Sequence, residues 1–593
     1  MLNFKNLLFL LLPAFLVALL HLFILDLHFP YIASDMYYYS SRLIDTYLHF
    51  KIEGIWSIQW WTPSFGAGTP AYPNPMHLQF SLTPYLLFVT DPWVSTLITY
   101  ISFGLVGHIL VYYYTKNHLG LGQLTSSITA VVFATNGYWL CHTMAGHLNY
   151  HSFPLIAIVP YILQSNWSVR KSSIIFAIVI SYTIYSAGFS TIFLIYLSAF
   201  QLLFALPLVT KKNICYNKIF KIFVFSHLLI LVICMSKIIA VMQHMELYPR
   251  LKSYSSWQPY FICFPLALIT QLFSWKVLFP IELFLPVPAD SILFWIIGSR
   301  YEFWENDVSL SPIVLFCFTL VFFIKKSSLL SFIKEKKNKS LLTGFILSLW
   351  ITCEMSIGKG FTWTFIKHLP VIESTHVNVR YAGSLIPVMC ILFAYCYNAT
   401  GLHFRNIGKF KIFMFSLTLT LLSLYSYSMV SYKKLAFHEY DSEKDKILWD
   451  KIQNGETFTP IDKIIDIKRK DQVSHFFEFA SSSSPHDPLY GYHSEYYQSK
   501  TEIGSVYGLS DSKYINFNDP RSFYSPKLLK LKVSQRLGVN GKIKNNQFLN
   551  RKQPQWKLPL IQQIANWTSF ISILSIFIFF CFCIYKKINY KRT

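Results

Sequence analysis

Long apolar runs recur along the whole chain and restrict its possible folds more than any other feature, because roughly 20 such residues in a helix match the hydrocarbon thickness of a bilayer. The runs lie at residues 7–27, 94–114, 121–140, 153–165, 172–186, 189–208, 220–241, 311–323, 341–357, 383–397, 412–429 and 571–584. They predict an all-α polytopic transmembrane fold of about 12 helices. Only 14% of the residues are charged, against about 25% in a soluble domain, too few to cover a globule of 593 residues. The first run contains Pro13 and lacks a small-residue cleavage site, so it reads as a retained span rather than a signal peptide.

The formal net charge of +23 would suggest nucleic acid in a soluble protein, but here the cations sit between apolar runs. With a cytoplasmic N-terminus, every second connection should be basic, and each is: Lys116; Arg170 and Lys171; Lys211, Lys212, Lys218 and Lys221; the lysines of 325–339; Arg405, Lys409 and Lys411; and the tail with Lys586, Lys587, Lys591 and Arg592. The pattern predicts both termini inside and no nucleic-acid partner.

The opposite connections are long, aromatic and rich in Pro and Gly. The first covers 28–93. The fourth, 242–310, is apolar enough at 260–275 and 277–295 for re-entrant helices or an extra hairpin of spans. The last, about 431–569, is polar enough for a small extramembrane domain and holds no cysteine, so disulfides cannot staple it. The organisation is therefore a transmembrane core (1–430) with a long first outer loop, an exposed domain (431–569) and a final span with a basic tail (570–593). Within the exposed domain, 521–557 has ten Lys and Arg and no acid. It is a solvated basic surface or a contact for anionic headgroups or glycans.

One carboxylate stands out. Asp35 lies a few residues past the first span in His28-Phe-Pro-Tyr-Ile-Ala-Ser-Asp-Met-Tyr-Tyr-Tyr39. Rings around a carboxylate strengthen its bonds to a charged partner. A base at that boundary can take a proton from a sugar hydroxyl during glycosyl transfer, although Ser34-Asp35 also suits a helix cap. Further on, Trp60-Trp61-Thr-Pro-Ser-Phe-Gly66-Ala-Gly68-Thr-Pro70 demands a fixed, non-helical path. Its aromatics, Trp61 among them, and Tyr37 suit stacking on sugars or polyprenyl chains, or an interfacial belt.

An early loop Asp, followed by Trp-x-Pro-x-x-Gly-x-Gly-x-Pro at residues 61–70, resembles the bacterial YfhO family, of the GT-C superfamily of membrane glycosyltransferases. Asn136-Gly137-Tyr138 with Ala145-Gly146-His147-Leu148, and Leu369-Pro370 with Val379-Arg380-Tyr381, agree in order. The resemblance covers roughly residues 7–397. It implies a GT-C-like fold, a bacterial plasma membrane, a catalytic role for Asp35 on the outer face and a polyprenyl-phosphate-linked sugar donor. The acceptor would be an envelope glycan, lipid or polymer. Ser34-Asp35 departs from the two adjacent acids of many relatives, so no metal is assigned and no cofactor is expected.

A phosphate-bearing donor needs outer cations. Arg380, at the head of a span, is the first candidate, Arg250 the second and Arg300 the third, each weighed against snorkelling or a local ion pair. His147 and His151 share the i, i+4 spacing of some metal pairs, yet no acid accompanies them, and His147 is read as positioning substrate. Pro485-His486-Asp487-Pro488 and Tyr490–Tyr497 read as a polar loop with aromatic turns. An O-antigen ligase or polymerase, a glycolipid transporter and a non-catalytic scaffold are the rival readings. A transporter would be expected to show inverted repeats and mid-membrane charges.

Overall fold

The computed structural model describes residues 4–25, 35–247, 308–324, 335–369, 372, 377–403, scattered positions of 413–424, 442–467, 473–483, 503–507, 516–518, 542–553 and 557–590. Arg250, Arg300, the apolar runs 260–275 and 277–295, the segment 485–497 and most of 521–557 lie outside the described residues.

The fold is mostly helical. In chain order the helices are α1 (Phe4–Leu25), α2 (Asp35–Glu53), α3 (Leu82–Leu86), α4 (Pro92–Tyr113), α5 (Gln123–Ala134), α6 (Gly137–Met144), α7 (Val159–Gln164), α8 (Val169–Tyr185), α9 (Phe189–Thr210) and α10 (Tyr216–Leu247), then α11 (Ile313–Ile324), α12 (Lys336–Ile357), α13 (Phe361–Ile366) and α14 (Ile386–His403), and finally α15 (Ser442–Gln453), α16 (Ser474–Phe477), α17 (Lys542–Leu549) and α18 (Leu560–Tyr590). Six helices among the described residues are long and apolar enough to cross a membrane: Pro92–His118, Phe189–Thr210, Tyr216–Met245, Asn338–Ile357, Asn378–Thr400 and Leu560–Phe582. Two shorter apolar helices, Phe9–Phe23 and Ile313–Ile324, accompany them. This is the character of a membrane protein.

Local chemistry sets the helix ends. Asp91 caps α4, accepting from the amides of Trp93 and Val94 at 2.8 Å each, with Pro92 at the first position where its missing N–H costs nothing. The apolar run 121–140 is not one span. Asn136 interrupts it by accepting from Trp139 N at 2.9 Å and so starts α6 afresh. The run 153–165 is likewise a 3-10 helix (Phe153–Ile158) followed by the six-residue α7, with Pro154 and Pro160 each near the start of its helix. Neither piece reaches the length of a span.

Among the long helices, α10 packs between α8 and α18, and α12 packs on α9 and on the 3-10 helix Asn378–Leu385. Polar side chains lock α10 to α18. Ser236 donates its hydroxyl to Asn566 Oδ1 at 2.7 Å, and Gln562 Nε2 donates to Ser236 O at 3.0 Å. One residue on, the buried Lys237 ammonium donates to the carbonyls of Tyr72 and Asn74 at 2.6 and 2.9 Å, fastening the proline-rich turn of the first loop to this helix.

The first loop and the described part of 431–569 form one layer. In the loop, β1 (Trp61–Thr62) pairs antiparallel with β2 (Thr69–Pro70). In the late segment, β3 (Lys463–Ile465) lies between β4 (Ala480–Ser482), parallel, and β5 (Gly504–Ser505), antiparallel. Backbone bonds join the two: Ser482 N to Ser64 O at 3.0 Å, Ala67 N to Ser482 O at 2.9 Å and Asn518 N to Ala67 O at 2.7 Å. A small apolar core of Trp61, Ala67, Ile461, Ile464, Val506, Phe517 and Phe548 draws on both segments. Gly68 is required there. Its φ is +104°, and a Cβ would stand 2.7 Å from the Trp61 indole.

Candidate active site

Asp35 opens α2, so its carboxylate stands at the helix N-terminus, where backbone amides and the dipole favour negative charge. The loop between α6 and α7 closes over that end. Gly146 makes the closure possible. It has φ +79°, and a Cβ on it would lie 2.6 Å from Met36 N. The next residue, His147, places Nε2 at 2.7 Å from Asp35 Oδ2, across 112 positions of sequence. His147 is 8% exposed and Asp35 26%, so the imidazole is buried and the acid opens to the exterior.

The carboxylate accepts, so Nε2 of His147 carries the hydrogen, an assignment inferred from the contact. The buried Nδ1 has no hydrogen-bond partner among the described residues. One turn along α2, Tyr39 donates its hydroxyl to Asn149 Oδ1 at 2.7 Å, so the same loop reads two successive turns of this helix. Burial, with the charges of Tyr38 and Asp35 adding to it, holds the Tyr39 phenol well above its usual range and keeps it a donor.

Arg380 reaches the cluster from the 3-10 helix that heads the Asn378–Thr400 span. Its Nη1 donates to the Tyr150 hydroxyl at 3.1 Å. The Tyr150 ring contacts His142 (centroids 4.3 Å apart) and His147 (5.9 Å). The His142 Nδ1–H donates to Tyr138 O at 2.9 Å. Burial first, then the charges of His147 and Arg380, push the His142 pKa well below the ordinary histidine value, so its ring stays neutral. Tyr150 thus stands between a guanidinium and the Asp35–His147 pair.

Asp35, His147 and Arg380, expected from sequence, therefore belong to one cluster. Tyr37, 9% exposed, lies in the core along α2 rather than on an open surface. Trp61 is fully buried in the small core with Phe548 (centroids 5.7 Å). It presents no face to a sugar, because the layer between the first loop and the late segment closes over it. His147 and His151 do not pair. His151 Nε2 meets the Tyr182 hydroxyl at 2.8 Å, far in role from Asp35. No group of three or more potential ligands for a metal occurs among the described residues.

Sequence reasoning missed Tyr150, Asn149 and Tyr39. Their signal was a polar sequence, Gly146-His-Leu-Asn-Tyr-His151, set between apolar segments. It also missed Asp45, buried ten positions beyond Asp35 on the same helix. Asp45 accepts from Gln59 Nε2 at 2.8 Å and contacts the Ser64 hydroxyl. Buried Arg551 lies 3.6 Å from its Oδ1, contacts the same Ser64 hydroxyl and donates through Nε to Phe458 O at 3.0 Å. Beside it, Ser40 meets the buried Asp445 carboxylate of α15. The late segment thus holds α2 by two buried carboxylate contacts, and α2 in turn holds Asp35.

No protein-family model matches the chain, and no curated protein matches it.

Proposed function

We propose that the chain is a membrane glycosyltransferase of GT-C type, similar to the YfhO family, that crosses a bacterial membrane many times with both termini in the cytoplasm. The observation that carries this reading is the hydrogen bond of His147 to Asp35 at the head of the first-loop helix, with Arg380 attached to the same cluster through Tyr150.

The donor is a polyprenyl-phosphate-linked sugar in the outer leaflet, and the acceptor an envelope glycan, lipid or polymer. Arg380 holds the donor phosphate by charge-assisted hydrogen bonds. His147 fixes one oxygen of Asp35 and orients the carboxylate. Asp35 accepts the proton of the acceptor hydroxyl. The hydroxyl oxygen attacks the anomeric carbon, the bond from that carbon to the phosphate oxygen breaks, and the lipid phosphate leaves with the electron pair. A single displacement inverts the anomeric configuration. Arg380, with Tyr150 behind it, stabilises the charge that develops on the leaving phosphate.

The test is a mass profile of envelope glycolipids and polysaccharides from the native host and a deletion strain. Loss of one defined sugar mass in the deletion supports the reading. An unchanged profile of sugar masses, or a build-up of finished glycolipid on the inner leaflet, turns it toward transport.

A further inference from the structure

Helix α13 carries an apolar surface that stays exposed among the described residues. It follows the span Asn338–Ile357 after only three residues. That span is 20 residues long, about 30 Å at 1.5 Å per residue, the thickness of the hydrocarbon core. The chain turns sharply at its end. Gly358 closes α12 in the left-handed region (φ +72°), and Gly360 follows at φ +120°. A Cβ on Gly360 would stand 2.4 Å from the Glu354 side chain. Buried Glu354 fixes the turn by accepting from the amides of Thr362 and Trp363 at 2.6 and 3.3 Å, and from the Trp350 indole at 2.8 Å.

The result is a short helix tied to the membrane boundary with a sided surface. Trp363 is 4% exposed and faces the protein. Phe361 and Phe365, one turn apart and with rings 5.1 Å between centroids, are 79% and 64% exposed. Leu369 in the following turn is also exposed. This patch continues the exposed stripe of Ile346, Leu347 and Trp350 on the span itself, which is the stripe a bilayer would cover. Lys359 and His368 are exposed beside it and Lys367 is half-buried, while Glu354 is buried in the turn.

From this continuity and charge we infer that α13 is a membrane-interface helix whose partner is the phospholipid surface. Phe361, Phe365 and Leu369 lie among the upper acyl chains, and Lys359 and Lys367 stand at the level of anionic headgroups. The inference depends only on the membrane character of the chain and holds whatever reaction Asp35 performs. A span that ends in an interfacial helix is fixed in depth, and this span packs on the 3-10 helix bearing Arg380. The depth of Arg380 in the bilayer is set accordingly.

The test uses the full chain in liposomes of phosphatidylcholine with or without phosphatidylglycerol. The photo-reactive residue p-benzoylphenylalanine replaces Phe361, Phe365, Trp363 or Tyr507 in turn. Positions 361 and 365 are expected to give phospholipid adducts, with a higher yield when phosphatidylglycerol is present. Position 363 is expected to give links within the chain, and the exposed Tyr507 position no lipid adduct. Links between two copies at 361 and 365 would overturn the inference in favour of self-association. Absence of lipid adducts there, while 363 still links within the chain, would overturn it in favour of a water-facing helix.

Discussion

His147 Nε2 lies 2.7 Å from Asp35 Oδ2, joining the head of the first-loop helix to a loop 112 residues later. That contact exists because Gly146, at φ +79°, lets the loop backbone pass directly over Met36 N. A carboxylate held in this way has its orientation fixed by the fold.

Gly146→Ala should separate the pair. The added methyl meets backbone, which cannot swing aside, and the left-handed conformation costs a further roughly 1 kcal/mol or more. We expect destabilisation of about 1–3 kcal/mol in thermal unfolding, with sugar transfer reduced far more than Tm. Transfer equal to wild type would show that the loop need not close on α2.

Tyr150→Phe should leave the fold intact and weaken the hold on Arg380, since it removes only the hydroxyl that accepts from Nη1. Loss of one hydrogen bond to a charged group is worth about 1.5–3 kcal/mol. The expected signature is a KM for the lipid-linked donor raised roughly tenfold or more, with a smaller change in the KM of the acceptor. Steady-state kinetics in proteoliposomes reads both.

Arg551→Met should unfold the layer that supports α2. It leaves the buried Asp45 carboxylate without its guanidinium, a loss of about 3–5 kcal/mol for a buried pair. Limited proteolysis of the 431–569 segment should then become rapid. Trp61→Ala should give the same pattern at about 3–5 kcal/mol, because Trp61 fills the small core rather than a sugar subsite.

Asp445 gives the layer a pH dependence. Burial pushes its pKa from 3.8 up to about 7, with the Ser40 hydroxyl pulling the other way. The folded state therefore holds a proton that the unfolded chain has already released. Its contribution is fully present below about pH 4 and is lost as pH rises toward 7. Across that window the protein loses on the order of a few kcal/mol from this group. Asp445→Asn should flatten the slope and raise stability at pH 8. Thermal unfolding from pH 4 to 8 checks it, and an unchanged slope would place the Asp445 carboxylate in water.

Much of this was legible in the sequence for a physical reason. Apolar length marks a span whatever its neighbours are, so the helices at 94–114, 189–208, 220–241, 341–357 and 383–397 correspond to observed candidate spans. Runs broken by Asn136, Pro154 and Pro160 were misread, because hydropathy does not register a cap or a kink. Asp35 and His147 stood out as lone polar groups at an apolar boundary. Tyr150 did not, since a tyrosine near a membrane is ordinary until a guanidinium is found on its hydroxyl. The Asp45–Arg551 contact spans some 500 residues and joins a loop to a late segment, and no local pattern encodes such a pairing. Trp61 was assigned to substrate because aromatics between glycines suit sugars equally well as they suit a small core.

The most direct measurement is the envelope glycan mass profile of a deletion strain carrying Asp35→Asn at the expression level of the wild-type chain. The substitution keeps the side chain's size but removes its negative charge. The account predicts that the sugar mass missing from the deletion stays missing, while the variant remains folded in the membrane. Full restoration of that mass by Asp35→Asn would contradict the catalytic role of Asp35.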